Sequence, residues 1–189
     1  MSGYKSGRGG VRVRRRVRAK LRIVLVVRAT KKLLDRCGGP SLSDRPATTA
    51  LGDWYATALF WKPQVALFVN EPTRLPVFVP LAPAATLAPR FASHLRAVFD
   101  AFGLDPRFID AEISEMAQQR FAKTANRSVV GTMNDFSSLA EFHRDRHGGN
   151  DLLALSLELA HTPCGPLDKG HGFPDLELKA MAQQIPGIG

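Results

Sequence analysis

Trp54-Tyr-Ala-Thr-Ala-Leu-Phe-Trp61, Val65-Ala-Leu-Phe-Val-Asn70 and Leu75-Pro-Val-Phe-Val79 follow one another along the chain, separated by the turns Lys62-Pro-Gln64 and Glu71-Pro-Thr73. Each run is rich in β-branched and aromatic residues, although Trp54 to Trp61 could instead form a helix. Each join contains proline beside polar residues. Together they predict a three-stranded antiparallel meander. Pro76 has no N–H to give to a ladder, so the third strand is expected at an edge or to carry a bulge.

Upstream, the Ile-Val-Leu-Val-Val run within Leu21 to Arg28 suits a strand covered on both faces. Thr30 is placed to cap a short helix from Lys31 to Cys37, which Gly38-Gly39-Pro40 ends, and Ser41 to Thr49 reads as a loop. Downstream, the period changes to that of helices. Leu87, Phe91, Leu95, Val98, Phe99 and Phe102 form one stripe closed by Gly103. Asp105 and Pro106 open a second helix, whose inner face is Ile109, Ile113, Met116, Ala117 and Phe121. A third helix is expected from about Ser128 to Arg144, ended by His147-Gly148-Gly149. Asn150 is placed to cap a fourth, Asp151 to Ala160, so leucine-rich that it is expected to be central. Pro174 to Gln184 makes the last. The fold class is therefore α+β: an N-terminal strand and a three-stranded meander packed against about five helices.

With 189 residues and 44% hydrophobic content, one domain is expected over residues 21–189. No apolar run reaches membrane-spanning length, which predicts a soluble protein. The formal charge of +9 is concentrated at one end. Residues 1–22 hold nine of the 26 basic residues and no acid, so the rest balances at 17 basic against 17 acidic. The basic surplus therefore belongs to an arm, residues 1–20, rather than to a nucleic-acid-binding face of the domain. The arm has three readings. Arg12, Arg14, Arg15, Arg16 and Arg18 suit non-specific nucleic-acid binding by a disordered segment. A targeting signal fits poorly, because Arg28 breaks the short apolar block. A start codon placed too far upstream would also produce it. Val11, Val13, Val17, Ala19, Leu21 and Ile23 alternate with basic residues, a period that could also extend the first strand. Cys37 and Cys164 are too few for a disulfide framework, and two reduced thiols in a cytoplasm are expected.

The candidate site lies in Lys123-Thr-Ala-Asn-Arg-Ser-Val-Val-Gly-Thr-Met-Asn-Asp-Phe136. Wound at 100° per residue, Val129, Val130, Met133, Phe136 and Ala140 share one arc. Arg127, Gly131, Asn134, Ser138 and Glu141 share another. A solvated face would more naturally be rich in Lys and Glu. Arginine with asparagine, and a glycine admitting close approach, suits docking of a partner protein or an anionic ligand through Asn126, Arg127, Asn134 and Asp135. Two other readings stand beside it. In one, an enzyme acts on a phosphate-bearing or nucleic-acid substrate, with Arg127 as clamp and Asp135 as base or metal ligand. In the other the residues are scaffold: Asn126 caps the helix, Arg127 pairs with Asp135 or Glu141, and Asn134 satisfies a loop carbonyl.

Other combinations carry less. His161 and His171 near Cys164 do not complete a metal set, and prolines around Cys164 suggest a buried sulfur in a turn. His143 and His147 have helical spacing but read as surface or core histidines. Asp53 reads as a strand entry. No nucleotide fingerprint, phosphate loop or zinc pattern occurs, and neither a cofactor nor a metal is expected.

Ala29-Thr-Lys-Lys-Leu-Leu34, Leu51-Gly-Asp-Trp-Tyr-Ala56, Val65-Ala-Leu-Phe-Val-Asn70 and Lys123 to Asp135 occur in this order. So arranged, the chain resembles the uncharacterised bacterial family called domain of unknown function 6933. The resemblance spans roughly Ile23 to Glu141, and Thr162-Pro-Cys-Gly-Pro-Leu167 is similar to the tail of one branch. Members typically start at the first strand, which favours the misplaced start. The resemblance implies fold boundaries and brings no activity, substrate or cofactor.

Overall fold

A computed structural model of the chain describes residues 25–40, 47–116, 118–144 and 151–185. The basic residues Arg12, Arg14, Arg15, Arg16 and Arg18, as well as Ala117, His147 and Asn150, lie outside them. Among the described residues five strands form one mixed sheet in the order β4-β3-β2-β1-β5. β2 (Trp54–Leu59), β3 (Val65–Asn70) and β4 (Pro76–Pro80) are the expected antiparallel meander. β1 (Leu25–Ala29) pairs in parallel with β2 on one side and with β5 (Gln119–Lys123) on the other. β5 corrects the expectation that Phe121 continues a helix. The helix α3 (Pro106–Glu115) stops at Met116, and five residues of ladder with β1 settle a segment whose own pattern is ambiguous.

Alternation sends the side chains of the sheet into two cores. Trp54, Ala56, Ala58, Phe68, Val77 and Val79 face α2 (Leu87–Ala101) and α3. Phe91 of α2 stacks on Phe68 at 4.0 Å and meets Trp54 edge-on at 5.0 Å. Tyr55, Leu59, Val65, Leu67, Val69 and Phe78 face the other way, toward α4 (Arg127–Arg144).

Three details differ from the sequence reading. The first helix, α1 (Lys31–Leu34), is a single turn, and Thr30 does not cap it; its hydroxyl lies 3.0 Å from that of Thr57 instead. α5 (Leu152–Ala160) is capped by Asp151, whose Oδ1 accepts the Ala154 N–H at 2.8 Å. α5 is not central but closes the β4 edge of the sheet. Leu155 and Leu159 enter one core and Ala160 the other, which is why so little of the helix is polar. α6 (Pro174–Gln183) adds Leu178 to the first core.

Pro76 and Pro80 have no N–H, and Phe78 lies between them in the alternation. Its N–H donates to Ser156 Oγ at 3.0 Å, and that hydroxyl in turn donates to the Leu152 carbonyl at 2.7 Å. The edge strand thus keeps its unpaired donor occupied. Ser156→Ala is expected to destabilise the fold by about 1–3 kcal/mol, because a buried N–H loses its acceptor. Denaturant titration measures this.

The loop entering β2 is held from two sides. Asn70 is fully buried; its Nδ2 donates to the Leu51 carbonyl (2.9 Å), and its Oδ1 accepts the Thr73 N–H (3.1 Å) and hydroxyl (2.8 Å). Glu112 of α3, only 2% exposed, accepts the N–H groups of Ala50 (2.9 Å) and Leu51 (3.3 Å). Burial pushes its carboxyl up to about 7, although both N–H groups favour the carboxylate. The native state therefore holds this proton more tightly than the unfolded chain does. The resulting stabilisation is complete below the ordinary carboxyl range and is lost as pH rises through about 7. Denaturation midpoints across that range should fall for the wild type, and Glu112→Gln should flatten the dependence.

Candidate functional site

The start of α4 is fixed by Asn126. Its Oδ1 accepts the Ser128 N–H at 2.9 Å, its own N–H donates to the Tyr55 hydroxyl at 3.0 Å, and its Nδ2 donates to Glu71 Oε1 at 2.9 Å. Asn126 therefore works as a cap and anchor. Nearby, Arg74 takes a left-handed backbone (φ 58°) at the end of the β3–β4 turn. Its buried guanidinium donates to the Glu71 carbonyl and, at 3.4 Å, to Ser128 Oγ.

From this anchored end the stripe of Val129, Met133, Phe136 and Ala140 is buried, and Arg127, Gly131, Asn134, Ser138 and Glu141 are exposed along the opposite face. Arg127 and Asn134 share that face about 10 Å apart along the axis, from the helical rise. Asn134 joins a cleft; Arg127 lies beyond it, nearer the cap. Asp135 is turned one position round the helix and acts electrostatically on Cys164 instead. The four residues singled out in the sequence are thus divided: Asn126 in the scaffold, Arg127 and Asn134 on the open face, Asp135 to one side.

The cleft lies between α1, the end of β2 and α4, with a volume of about 390 Å³. Asn134, Ser137, Ser138 and Glu141 contribute from α4, Thr57 from β2 and Lys32 from α1. Phe60 and Trp61 complete it. Trp61 is largely buried, stacked on Phe78 at 6.1 Å with its ring beneath the Arg144 guanidinium at 5.1 Å. Phe60 is 54% exposed, with Lys32 Nζ 5.9 Å and the Arg36 guanidinium 5.7 Å from its ring centre. The sequence reading missed Lys32, Thr57, Phe60, Trp61 and Ser137. One signal was available: two consecutive aromatics ending an alternating strand cannot both enter the same core.

The remaining candidates are otherwise engaged. Asp53 pairs with Arg28 at 2.5 Å. His161 and His171 approach Asp175 (3.6 Å) and Glu177 (3.3 Å) of α6, and His143 lies 2.7 Å from Glu158 of α5. Burial raises the Cys164 thiol, opposed by its hydrogen bond with Thr132 and the nearby Arg74. Among the described residues no three His, Cys, Asp or Glu side chains gather as a metal-binding set, and no helix is long and apolar enough to cross a membrane.

These features define an α+β domain with a polar, aromatic-edged cleft on one sheet face. The family model described as domain of unknown function (DUF6933) matches residues 26–177, and the chain belongs to that family. The match runs past Glu141 through α5 and the Thr162–Leu167 stretch to the start of α6. Neither the curated proteins nor the solved structures give a match.

Gly131 sits inside α4 on the exposed face, and a Cβ there would meet nothing within 4 Å. Packing within the fold therefore does not require a glycine here. Gly131→Ala should stabilise the fold by up to about 1 kcal/mol, from helix propensity alone. A raised thermal midpoint is the expected result.

Proposed function

We propose that this chain is a small bacterial cytoplasmic binding or regulatory protein that performs no chemistry itself. Its polar α4 face, around Arg127 and Asn134, docks an anionic ligand or an anionic segment of a partner. The observation that carries the reading is the convergence of Asn134, Ser138 and Glu141 with Lys32 in one cleft. Among the described residues Lys32, Asn134 and Glu141 make no side-chain hydrogen bond or ion pair, so their polar groups are available. Small-molecule sites have this character: a concave surface of a few hundred Å³ with apolar walls and a few convergent polar groups. Two free cysteines support placement in a reducing compartment.

The test is thermal protection of the whole chain by a panel of anionic metabolites and acidic peptides, compared with Asn134→Ala and Arg127→Ala. A ligand that binds the native state raises the wild-type midpoint with the logarithm of one plus its concentration over Kd. Both substitutions are on the surface and should leave the unliganded midpoint within about 0.5 kcal/mol of stability. Asn134→Ala should remove most of the protection and Arg127→Ala part of it. Equal protection of all three proteins would refute the docking face.

A further inference from the structure

We infer that the cleft is a nucleotide site, taking one nucleobase against Phe60 and its phosphate at Lys32 and Arg36. This rests on the binding reading above and names its ligand class. Phe60 is the aromatic side chain at the cleft left largely open, at 54% exposed, whereas Trp61 beside it is packed into the wall. A flat ring stacked there would cover apolar surface that the fold leaves wet.

The cations are placed to match. Lys32 and Arg36 come from successive turns of chain at α1, and both lie within 6 Å of the Phe60 ring centre. Arg36 is held in position by donating from Nη1 to Gln64 Oε1 at 3.2 Å. An anion attached to a stacked ring would meet both of them. A neutral sugar would use the ring but bring no negative charge to the two cations that lie over it. On the α4 side, Asn134 offers an amide with both donors and an acceptor, the combination that pairs with the edge of a base. Glu141 adds an acceptor for a ribose hydroxyl or an exocyclic amine. At about 390 Å³ the cleft is near the small end of ligand pockets, suiting one base and one phosphate group rather than a dinucleotide.

The experiment titrates the full chain with each of AMP, GMP, CMP and UMP, following tryptophan fluorescence and heat of binding. Trp61 is in the cleft wall and Trp54 in the core, so quenching should vanish in Trp61→Phe. At least one nucleotide should bind saturably. With Phe60→Ala that nucleotide should bind about tenfold more weakly, in line with the size of base–aromatic stacking, and its uncharged nucleoside should bind the wild type more weakly because the phosphate contact with Lys32 and Arg36 is lost. Phe60→Tyr, which keeps the ring, should bind as the wild type does. Lys32→Ala should weaken binding and reduce its dependence on salt. Absence of saturable binding by all four nucleotides overturns the inference, as does equally tight binding of inorganic phosphate or of a sugar phosphate without a base. If nucleotides fail while another anion still gives Asn134-dependent protection, only the ligand class falls. If nucleotide binding is unaltered by Phe60→Ala, Lys32→Ala and Asn134→Ala alike, the cleft itself is refuted.

Discussion

The structure depends on the two-sided burial of β2. This strand pairs in parallel with β1 and antiparallel with β3, so its backbone is occupied along both edges and both of its faces are covered. Trp54, Ala56 and Ala58 enter one core, and Tyr55 and Leu59 the other. A register slip of one residue would exchange the faces, putting Trp54 against α4 and removing the Tyr55 hydroxyl from the Asn126 N–H. The loop before β2 is correspondingly held: Asn70 and Glu112 reach it from different elements, and neither belongs to its own local sequence.

From that strand follows the orientation of α4. Tyr55, through Asn126, fixes where the helix begins, and the buried stripe from Val129 to Ala140 fixes its rotation about its axis. Once both are set, the direction of Asn134, Ser138 and Glu141 is no longer free. They meet the end of β2, where Phe60, one residue past the strand, is left exposed at the cleft. The cleft is thus formed where α4 meets the end of β2. Its polar side comes from a helix and its aromatic side from a strand end, both rigid supports for a binding surface.

Much of this was legible from local pattern. The meander, the α2 stripe, the Asp105–Pro106 start of α3 and the inner and outer faces of α4 all follow from periods and caps. What was hidden depends on contacts distant in sequence. Gln119 to Lys123 is a strand because β1 is beside it, and nothing within those five residues demands it. Thr30 has the chemistry of a cap, yet its hydroxyl faces Thr57, a partner 27 positions away. Leucines in α5 suggested a central helix, because an apolar helix at the centre and one bridging two cores at a sheet edge have the same composition. Asn134 and Asp135 are neighbours in the chain, but 100° of helical turn separates a cleft residue from one facing Cys164. Lys32 and Phe60 became visible as partners of α4 only in three dimensions.

The polar groups alone would be weak grounds for a site. Lys32 and Glu141 share the cleft without coming within ion-pair distance of one another, and an exposed pair of that kind would contribute 1 kcal/mol or less, by the usual estimate of about 0–1 kcal/mol. Leaving them apart therefore costs the fold almost nothing and needs no ligand to explain it. Phe60 is different. Burying a phenylalanine side chain is worth about 1.5–3 kcal/mol, and the adjacent Trp61 shows that the chain can bury an aromatic at this very point. Lys32 and Arg36 lie over the ring at 5.9 and 5.7 Å from its centre, placing positive charge beside apolar surface that is still half exposed. An isolated exposed aromatic is ordinary. One placed at the mouth of a cleft, opposite an amide and a carboxylate that have no side-chain hydrogen bond or ion pair among the described residues, combines apolar surface to be covered with groups able to orient what covers it. That combination, and not the charge of the helix face, is what separates this surface from a merely solvated one.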